Sequence, residues 1–540
     1  MTKAPTQKIV DLGRVRRPAT SVGFEAENER HFYSVLFETF NDRVADDEVR
    51  APGFFADLNC DQIVDAITAD KEEYNLKPFF HAPLRRADAI RYRHEVMQDL
   101  EDKSVLELVK AFARSMHEVR EYLARARKMH YNEQKQAWFL TAVESYCEII
   151  SLFSAGLCNT AIKSRGLLDF RNYLTDYTRS ARFISLSSET RTIRTGLSAV
   201  QYCVLINDGG FTVRKYDSEI DYSADVAAAF DKFKQGAVKD YRLKFSERNE
   251  MNHIEARILE LVARLHPDIF MQLNDYCARN GDFVDKTLSV FDREIQFYVA
   301  YLDYIAILRR AGLRFCYPRI CDDNKDIFGC QGFDLALARK LTRENAAVVC
   351  NDFHLKGKER ILVVSGPNQG GKTTFARAFG QLHYLASIGV PVAGEKAQLS
   401  LFDEIFTHFE REEKVDNLRG KLEDDLLRIR AILGRATRRS LIILNEIFTS
   451  TTIQDAIFLS NKVMGKIIAR GSLGVWVTFI DELASYGPQT VSMVSTVAPD
   501  NPTLRTFQIV RRPADGLAYA MAIAQKYRVT YEAIKGRIKS

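Results

Sequence analysis

At 540 residues the chain is long enough for several domains, and its 46% hydrophobic and 27% charged residues are the balance of an ordinary globular protein, which excludes a disordered or fibrous chain. The net charge of +5 is compatible with nucleic-acid binding but does not select it. No long uninterrupted apolar run occurs, so no membrane span is expected.

The segment Met1 to Ser21 is polar and basic, with Arg14, Arg16 and Arg17 and no apolar core, so it is not a secretory signal and reads as a flexible tail reaching to about residue 25. Residues 84–182 are rich in Leu, Ala, Glu, Arg and Lys and poor in glycine, a helical texture. Near 199–216 the pattern changes: Val200 to Ile206, the turn Asn207-Asp208-Gly209-Gly210, then Phe211 to Arg214 predict a β-hairpin. Helical texture returns from Ser223 to Gly312. The 9 cysteines are scattered without C-x-x-C pairs, which predicts reduced thiols in a cytoplasmic protein. Cys316, Cys321 and Cys330 form a loose cluster that reads as structural.

The most informative stretch follows the apolar run Ile361-Leu362-Val363-Val364, which predicts a buried parallel strand. Gly366-Pro367-Asn368-Gln369-Gly370-Gly371-Lys372-Thr373 fits G-x-x-x-x-G-K-T, and Thr374 to Tyr384 predicts a helix behind it. In such a loop glycines let backbone N–H groups turn inward around phosphate oxygens, and the helix N-terminus adds positive potential. Lys372 is placed to reach the β- and γ-phosphates, and the Thr373 hydroxyl to bind Mg²⁺; Thr374 opens the helix.

Gly420 precedes a helix in which Leu422, Leu426, Ile429 and Leu433 share one apolar face. Asp424, Asp425, Arg428 and Arg430 are expected on other faces, the acids complementing the helix dipole. A second apolar strand, Leu441 to Leu444, ends in Asn445-Glu446. Strand ends in open α/β sheets face the ligand crevice, so Glu446 is the candidate general base and Asn445 a candidate for the Mg²⁺ shell.

Ser365 to Arg377 (SGPNQGGKTTFAR) resembles the nucleotide-binding loop TGPNMGGKST of the MutS family of mismatch repair ATPases. Asn445 to Thr452 resembles that family's DEIGRGTST, and Asp515 to Ala520 its SYGLAVA element. Pro83 to Leu100 resembles the start of its lever region. The resemblance is strong over Asn351–Ile534 and weaker over Phe54–Pro318. It implies an α/β P-loop ATPase domain at 319–540, preceded by a mainly helical lever over 26–318 with a small β insertion in the place of a clamp. ATP and Mg²⁺ are the implied cofactors, double-stranded or branched DNA the implied ligand, and a homodimer through the ATPase domain the implied assembly, with no membrane partner.

Four positions depart from the family's pattern. Asn445 stands at its metal-shell aspartate, Phe479 at its switch histidine, Gly420 at its signature serine and Val348 at its adenine-stacking aromatic. Loss of one hydrogen bond to a charged group costs roughly 1.5–3 kcal/mol, so Asn445 should slow turnover by roughly ten- to a hundredfold rather than abolish binding. Lys421 is a candidate to supply charge to a partner's nucleotide beside Gly420. The chain starts near the lever, leaving no room for the family's mismatch-wedge domain, and Phe24-Glu25 is adjacent rather than spaced. A C-terminal dimerisation element and a nuclease module are likewise not expected.

The resulting expectation is a slow, DNA-dependent ATPase acting as an ATP-gated DNA clamp in repair or recombination. Two other readings stay open: an ATP-dependent assembly switch gripping a protein, and a nucleotide-binding scaffold without turnover.

Overall fold

The computed structural model describes residues 32–39, 50–207, 210–218, 251–322, 325–410, 420–499, 501–514 and 529–538. The N-terminal tail with Phe24-Glu25, the turn residues Asp208-Gly209, the start of the second helical stretch and the element Asp515 to Ala520 lie outside them.

The N-terminal part is built from helices α1 (Cys60–Thr68), α2 (Lys77–His81), α3 (Ala87–Leu100), α4 (Lys103–Lys128), α5 (Asn132–Cys158), α6 (Arg165–Arg179) and α7 (Ala181–Ser198). The hairpin of β1 (Tyr202–Asn207) and β2 (Gly210–Lys215) follows, in the register Asn207 opposite Gly210. Then come α8 (His253–Leu265), α9 (Pro267–Arg279) and α10 (Lys286–Arg310). The second helical stretch is thus broken. His266-Pro267 ends α8, because the proline cannot continue it but suits the first turn of α9.

Helices α4 and α5 are the longest among the described residues and pack on each other. Val105, Val109, Phe112, Met116 and Val119 are buried on α4, alternating four and three apart, and Gln136, Leu140, Val143, Cys147, Ile150, Ser154 and Leu157 repeat that spacing on α5. A 3.5-residue repeat on two antiparallel helices is the condition for a coiled-coil-like seam. Phe112 stacks on Phe153 with centroids 4.3 Å apart. By length and mean hydropathy α5 could cross a bilayer, although its sequence holds no long apolar run; half of its most apolar window is buried against the neighbouring elements.

The C-terminal part holds two larger sheets. Strands β3 (Phe315–Cys316), β4 (Arg319–Cys321) and β5 (Ile327–Gly332) lead into α11 (Leu335–Arg343), β6 (Asn351–Leu355), β7 (Ile361–Ser365) and α12 (Lys372–Ser387). Next come β8 (Val392–Ala393), β9 (Lys396–Ser400), β10 (Ile405–His408), α13 (Lys421–Arg435), β11 (Leu441–Asn445), α14 (Ile453–Arg470) and β12 (Leu473–Val477). The last elements among the described residues are β13 (Thr490–Ala498), β14 (Asn501–Arg511) and α15 (Tyr531–Ile538). The six-stranded sheet has the order β10-β11-β12-β7-β13-β14, parallel except for the final β13–β14 pair. Strands β7, β11 and β12 are buried at every residue, as continuous apolar runs in a parallel sheet require. The second sheet has the order β4-β9-β5-β6.

One continuous apolar core runs through both parts. At the junction Arg93 is fully buried, donating from Nε to the Leu36 carbonyl at 3.1 Å and from Nη1 to the Ile388 carbonyl at 2.8 Å. Gln381 donates to the Leu58 carbonyl at 2.8 Å, Arg377 to the Asp57 carbonyl at 3.0 Å, and Thr407 to the Asp57 carboxylate at 2.6 Å. Helix α12 is therefore tied directly to the segment that opens α1.

The helix after Gly420 corrects one expectation. Its buried face is Asp425, Ile429, Ile432 and Leu433, whereas Leu426 is 39% exposed. The apolar spacing allowed Leu426 inside, but the neighbours of this face, His408 and the backbone of Phe448, offer polar partners that select Asp425 instead.

Candidate nucleotide site

Strand β7 delivers the loop Gly366–Gly371 to the carboxyl edge of the parallel sheet, and α12 starts at Lys372. Gly366 has φ 110° and Gly371 φ 89°, both in the region that glycine tolerates without strain. Gly370 is glycine for space: a Cβ there would lie 2.2 Å from Ser495 Oγ. That hydroxyl donates to the Gly370 carbonyl at 2.7 Å, so β13 braces the loop from behind.

The Lys372 side chain is only 5% exposed. Its Nζ donates to the Gly366 carbonyl at 2.9 Å, the Pro367 carbonyl at 3.4 Å and Asn368 Oδ1 at 3.1 Å, and lies 3.6 Å from Glu446 Oε1. Burial draws the Lys372 ammonium below the ordinary lysine value, with Glu446 pulling the other way. Gln369, at φ 59°, completes the crown of the loop.

Asn445 ends β11 almost fully buried, and the Thr373 hydroxyl donates to its Oδ1 at 2.9 Å. Two oxygen donors, one from the loop and one from the strand end, suit a hard cation such as Mg²⁺. Glu446 has φ 50° and Phe448 φ 61°, two left-handed non-glycine residues in one turn. The Glu446 amide donates to the Val477 carbonyl at 2.9 Å, and the Phe448 amide to Asp425 Oδ2 at 3.2 Å. Asp425 Oδ1 lies 3.1 Å from His408 Nε2. Burial works to raise the Asp425 carboxyl's pKa, but the His408 imidazole and the Phe448 amide hold it below the usual carboxylate value. Helix α13 is thus fastened to the turn that carries Glu446.

A cleft of about 710 Å³ opens beside the loop. Leu337, Leu341 and Val348 line it together with the loop, Glu446 and Phe507. The candidates Gly366 to Thr374, Asn445 and Glu446 therefore gather at one edge of the sheet. Gly420 and Lys421 are not among the cleft's lining residues; Gly420 is exposed at the start of α13, and Lys421 is ion-paired with Glu410. Phe479, which follows β12, is 46% exposed. Beside the hairpin, Arg194 is paired with Glu144, while Arg214 and Lys215 are exposed on β2.

Sequence reasoning missed three residues here: Phe507, which lines the cleft, and Asp425 and Arg505, which bond to the backbone of Phe448 and Asn368 from outside it. Arg505 and Phe507 lie on β14, where the pairing with β13 slips between Ser495 and Val497. Arg505 Nε donates to the Asn368 carbonyl at 3.1 Å, and Phe507 sits against Gly371. The alternation of β-prone residues in Thr490 to Val497 was a usable strand signal, but its partner's bulge had none.

Residues 362–535 match the family model described as MutS domain V. The DNA mismatch repair protein MutS of Thermotoga neapolitana is 27% identical over 279 residues, covering 50% of this chain and 33% of that protein. The Endonuclease MutS2 of Thermus thermophilus is 31% identical over 192 residues, 35% of this chain and 25% of that protein. The DNA mismatch repair protein MutS of Chlorobium phaeovibrioides is 23% identical over 512 residues, 85% of this chain and 56% of that protein. The chain thus aligns with a quarter to a little over half of the length of these relatives.

Proposed function

We infer function from one premise, that the C-terminal part of this chain is of MutS type, matching MutS domain V over residues 362–535: the protein is an ATP-binding and slowly ATP-hydrolysing switch that acts on DNA in repair or recombination. The observation that carries this reading is the hydrogen bond from Thr373 to Asn445, with Lys372 and Glu446 beside it, because it joins the phosphate loop to the strand end that directs hydrolysis.

In this reading the backbone of Gly366–Gly371 cradles the phosphates, Lys372 turns from its loop carbonyls to the β- and γ-phosphates, and Asn368 lines the γ-phosphate. The base rests on the apolar wall of Leu337, Leu341 and Val348, with Phe507 opposite. Thr373 and Asn445 hold Mg²⁺, which when bound neutralises phosphate charge. Asn445 is a weaker partner than an aspartate, which accounts for slow turnover. Glu446 accepts a proton from the attacking water and orients it. The exposed start of α13, at Gly420 and Lys421, completes the site of a second copy, so ATP closes a homodimer. Closure is transmitted through Arg377, Gln381 and Thr407 to the segment before α1, and the α4–α5 pair acts as the lever. In the same reading residues 26–318 form the lever and 319–540 the ATPase domain of a cytoplasmic protein.

The slender hairpin β1–β2 and the engagement of Arg194 with Glu144 favour a second reading, a switch whose lever grips a protein. Duplex binding across a salt series separates the two. A DNA clamp contacting four or five phosphates should lose affinity with a log–log slope of about −4. No measurable duplex binding at low salt, with or without MgATP, leaves the protein-directed switch.

A further inference from the structure

The strand β14 is not where the motifs place nucleotide chemistry, yet two of its residues meet the phosphate loop. Arg505 Nε donates to the Asn368 carbonyl at 3.1 Å, and Phe507 packs over Gly371. Their position depends on a bulge. Between the pairs Ser495–Ile509 and Val497–Arg505, β13 advances two residues while β14 advances four. Phe507, inside that bulge, has φ 58°, a conformation an L-residue adopts only when its surroundings hold it there. Asn351 supplies the hold. Its Nδ2 donates to the Phe507 carbonyl at 3.1 Å and its Oδ1 accepts from the Ile509 amide at 2.6 Å. A bulge fixed in this way re-aims side chains, and here it aims them at the loop.

The phosphate end of the site is short of positive charge. Asn445 brings none, and Glu446 adds a negative charge beside Lys372. A magnesium-bound nucleoside triphosphate carries about two negative charges that one lysine cannot balance next to a glutamate. In the proposed reading Asn368 lines the γ-phosphate, and its side chain receives the tip of Lys372, the group that reaches the β- and γ-phosphates. The guanidinium anchored on Asn368 is therefore at the γ-phosphate end rather than the α-phosphate end. Consistent with this closeness, the charge of Arg505 is felt at Lys372 and works against its protonation.

We propose that Arg505 is the γ-phosphate-reading residue of this site: a second cation, supplied by the same chain from the bulged strand β14, that distinguishes a nucleoside triphosphate from a diphosphate. The proposal rests on the nucleotide reading of the loop. It places triphosphate sensing inside one chain, so that nucleotide state is registered before any partner adds its own residues. It also makes the Asn351 clamp part of the sensor, since Asn351 fixes the bulge that presents Arg505.

The test is equilibrium titration of wild type, Arg505→Ala, Arg505→Lys and Lys372→Ala with MgATP and with MgADP, alongside thermal unfolding of each apo protein. Loss of one charge-assisted contact should raise the ATP Kd of Arg505→Ala about tenfold. The ADP Kd should stay within about twofold, since no γ-phosphate is involved. Arg505→Lys should recover part of the ATP affinity, and apo unfolding of the Arg505 variants should shift only slightly, by the loss of the bond to Asn368. Equal weakening of ATP and ADP means that Arg505 only braces the loop, and unchanged ATP affinity means that it contacts nothing; either overturns the proposal while leaving the nucleotide site standing. If wild type binds neither nucleotide, or Lys372→Ala binds ATP as wild type does, the nucleotide reading itself falls and the sensor with it.

Discussion

Lys372→Ala is expected to raise the Kd for MgATP by roughly a hundredfold or more, beyond the range of an ordinary titration. Lys372 is the cation most deeply set in the site, 5% exposed and held by three oxygen acceptors of its own loop. On binding it exchanges those acceptors for phosphate oxygens, and each charge-assisted hydrogen bond is worth roughly 1.5–3 kcal/mol. Two such bonds lost together amount to roughly 3–6 kcal/mol, or two to four orders of magnitude in affinity. The same change removes donors from the carbonyls of Gly366 and Pro367, so the apo protein should also melt slightly earlier. Retention of ATP affinity by a folded Lys372→Ala protein would show that the loop does not bind phosphate.

Glu446→Gln is expected to separate binding from turnover. The substitution keeps the size of the side chain and the turn in which the Glu446 amide bonds to Val477, but removes the carboxylate proposed as base. General-base catalysis contributes roughly 10²–10⁴-fold, so turnover should fall by that factor. Affinity for ATP should hold or improve, because a negative charge 3.6 Å from Lys372 is removed from the neighbourhood of the phosphates. The companion change Asn445→Asp should act in the opposite sense, raising magnesium-dependent turnover by about tenfold as the acceptor bonded to Thr373 becomes a carboxylate. Single-turnover hydrolysis, with binding measured separately, reads both. Equal turnover in wild type and Glu446→Gln would assign the base to another group.

The site's frame was legible because its information is local. A strand of four apolar residues, a glycine loop and a helix in immediate succession place Lys372 and Thr373 without reference to the rest of the chain, and a second apolar strand places Asn445 and Glu446. What was not legible depends on partners far away in sequence. The spacing of Leu422, Leu426, Ile429 and Leu433 describes an apolar stripe. Which edge of that stripe is buried was decided by His408 and by the Phe448 amide, and these draw in Asp425 and leave Leu426 outside. The bulge of β14 is fixed by Asn351, more than 150 positions upstream of Phe507, so nothing near Arg505 announced its approach to the loop. The helix α5 shows the same lesson in composition: its apolar residues are interrupted often enough to hide a long hydrophobic helix, and the four-and-three spacing against α4 gives it its place.

These constraints meet in one account, in which nucleotide at the edge of the parallel sheet moves helices that are tied to it through Asp57, Leu58 and Arg93. The measurement that tests it most directly is MgATP hydrolysis by the wild-type chain with and without duplex DNA at low salt. Slow turnover that depends on Lys372 and rises when DNA is added is the predicted result. Tight ATP binding with no turnover, indifferent to DNA, would contradict it and leave a protein-directed switch or a scaffold.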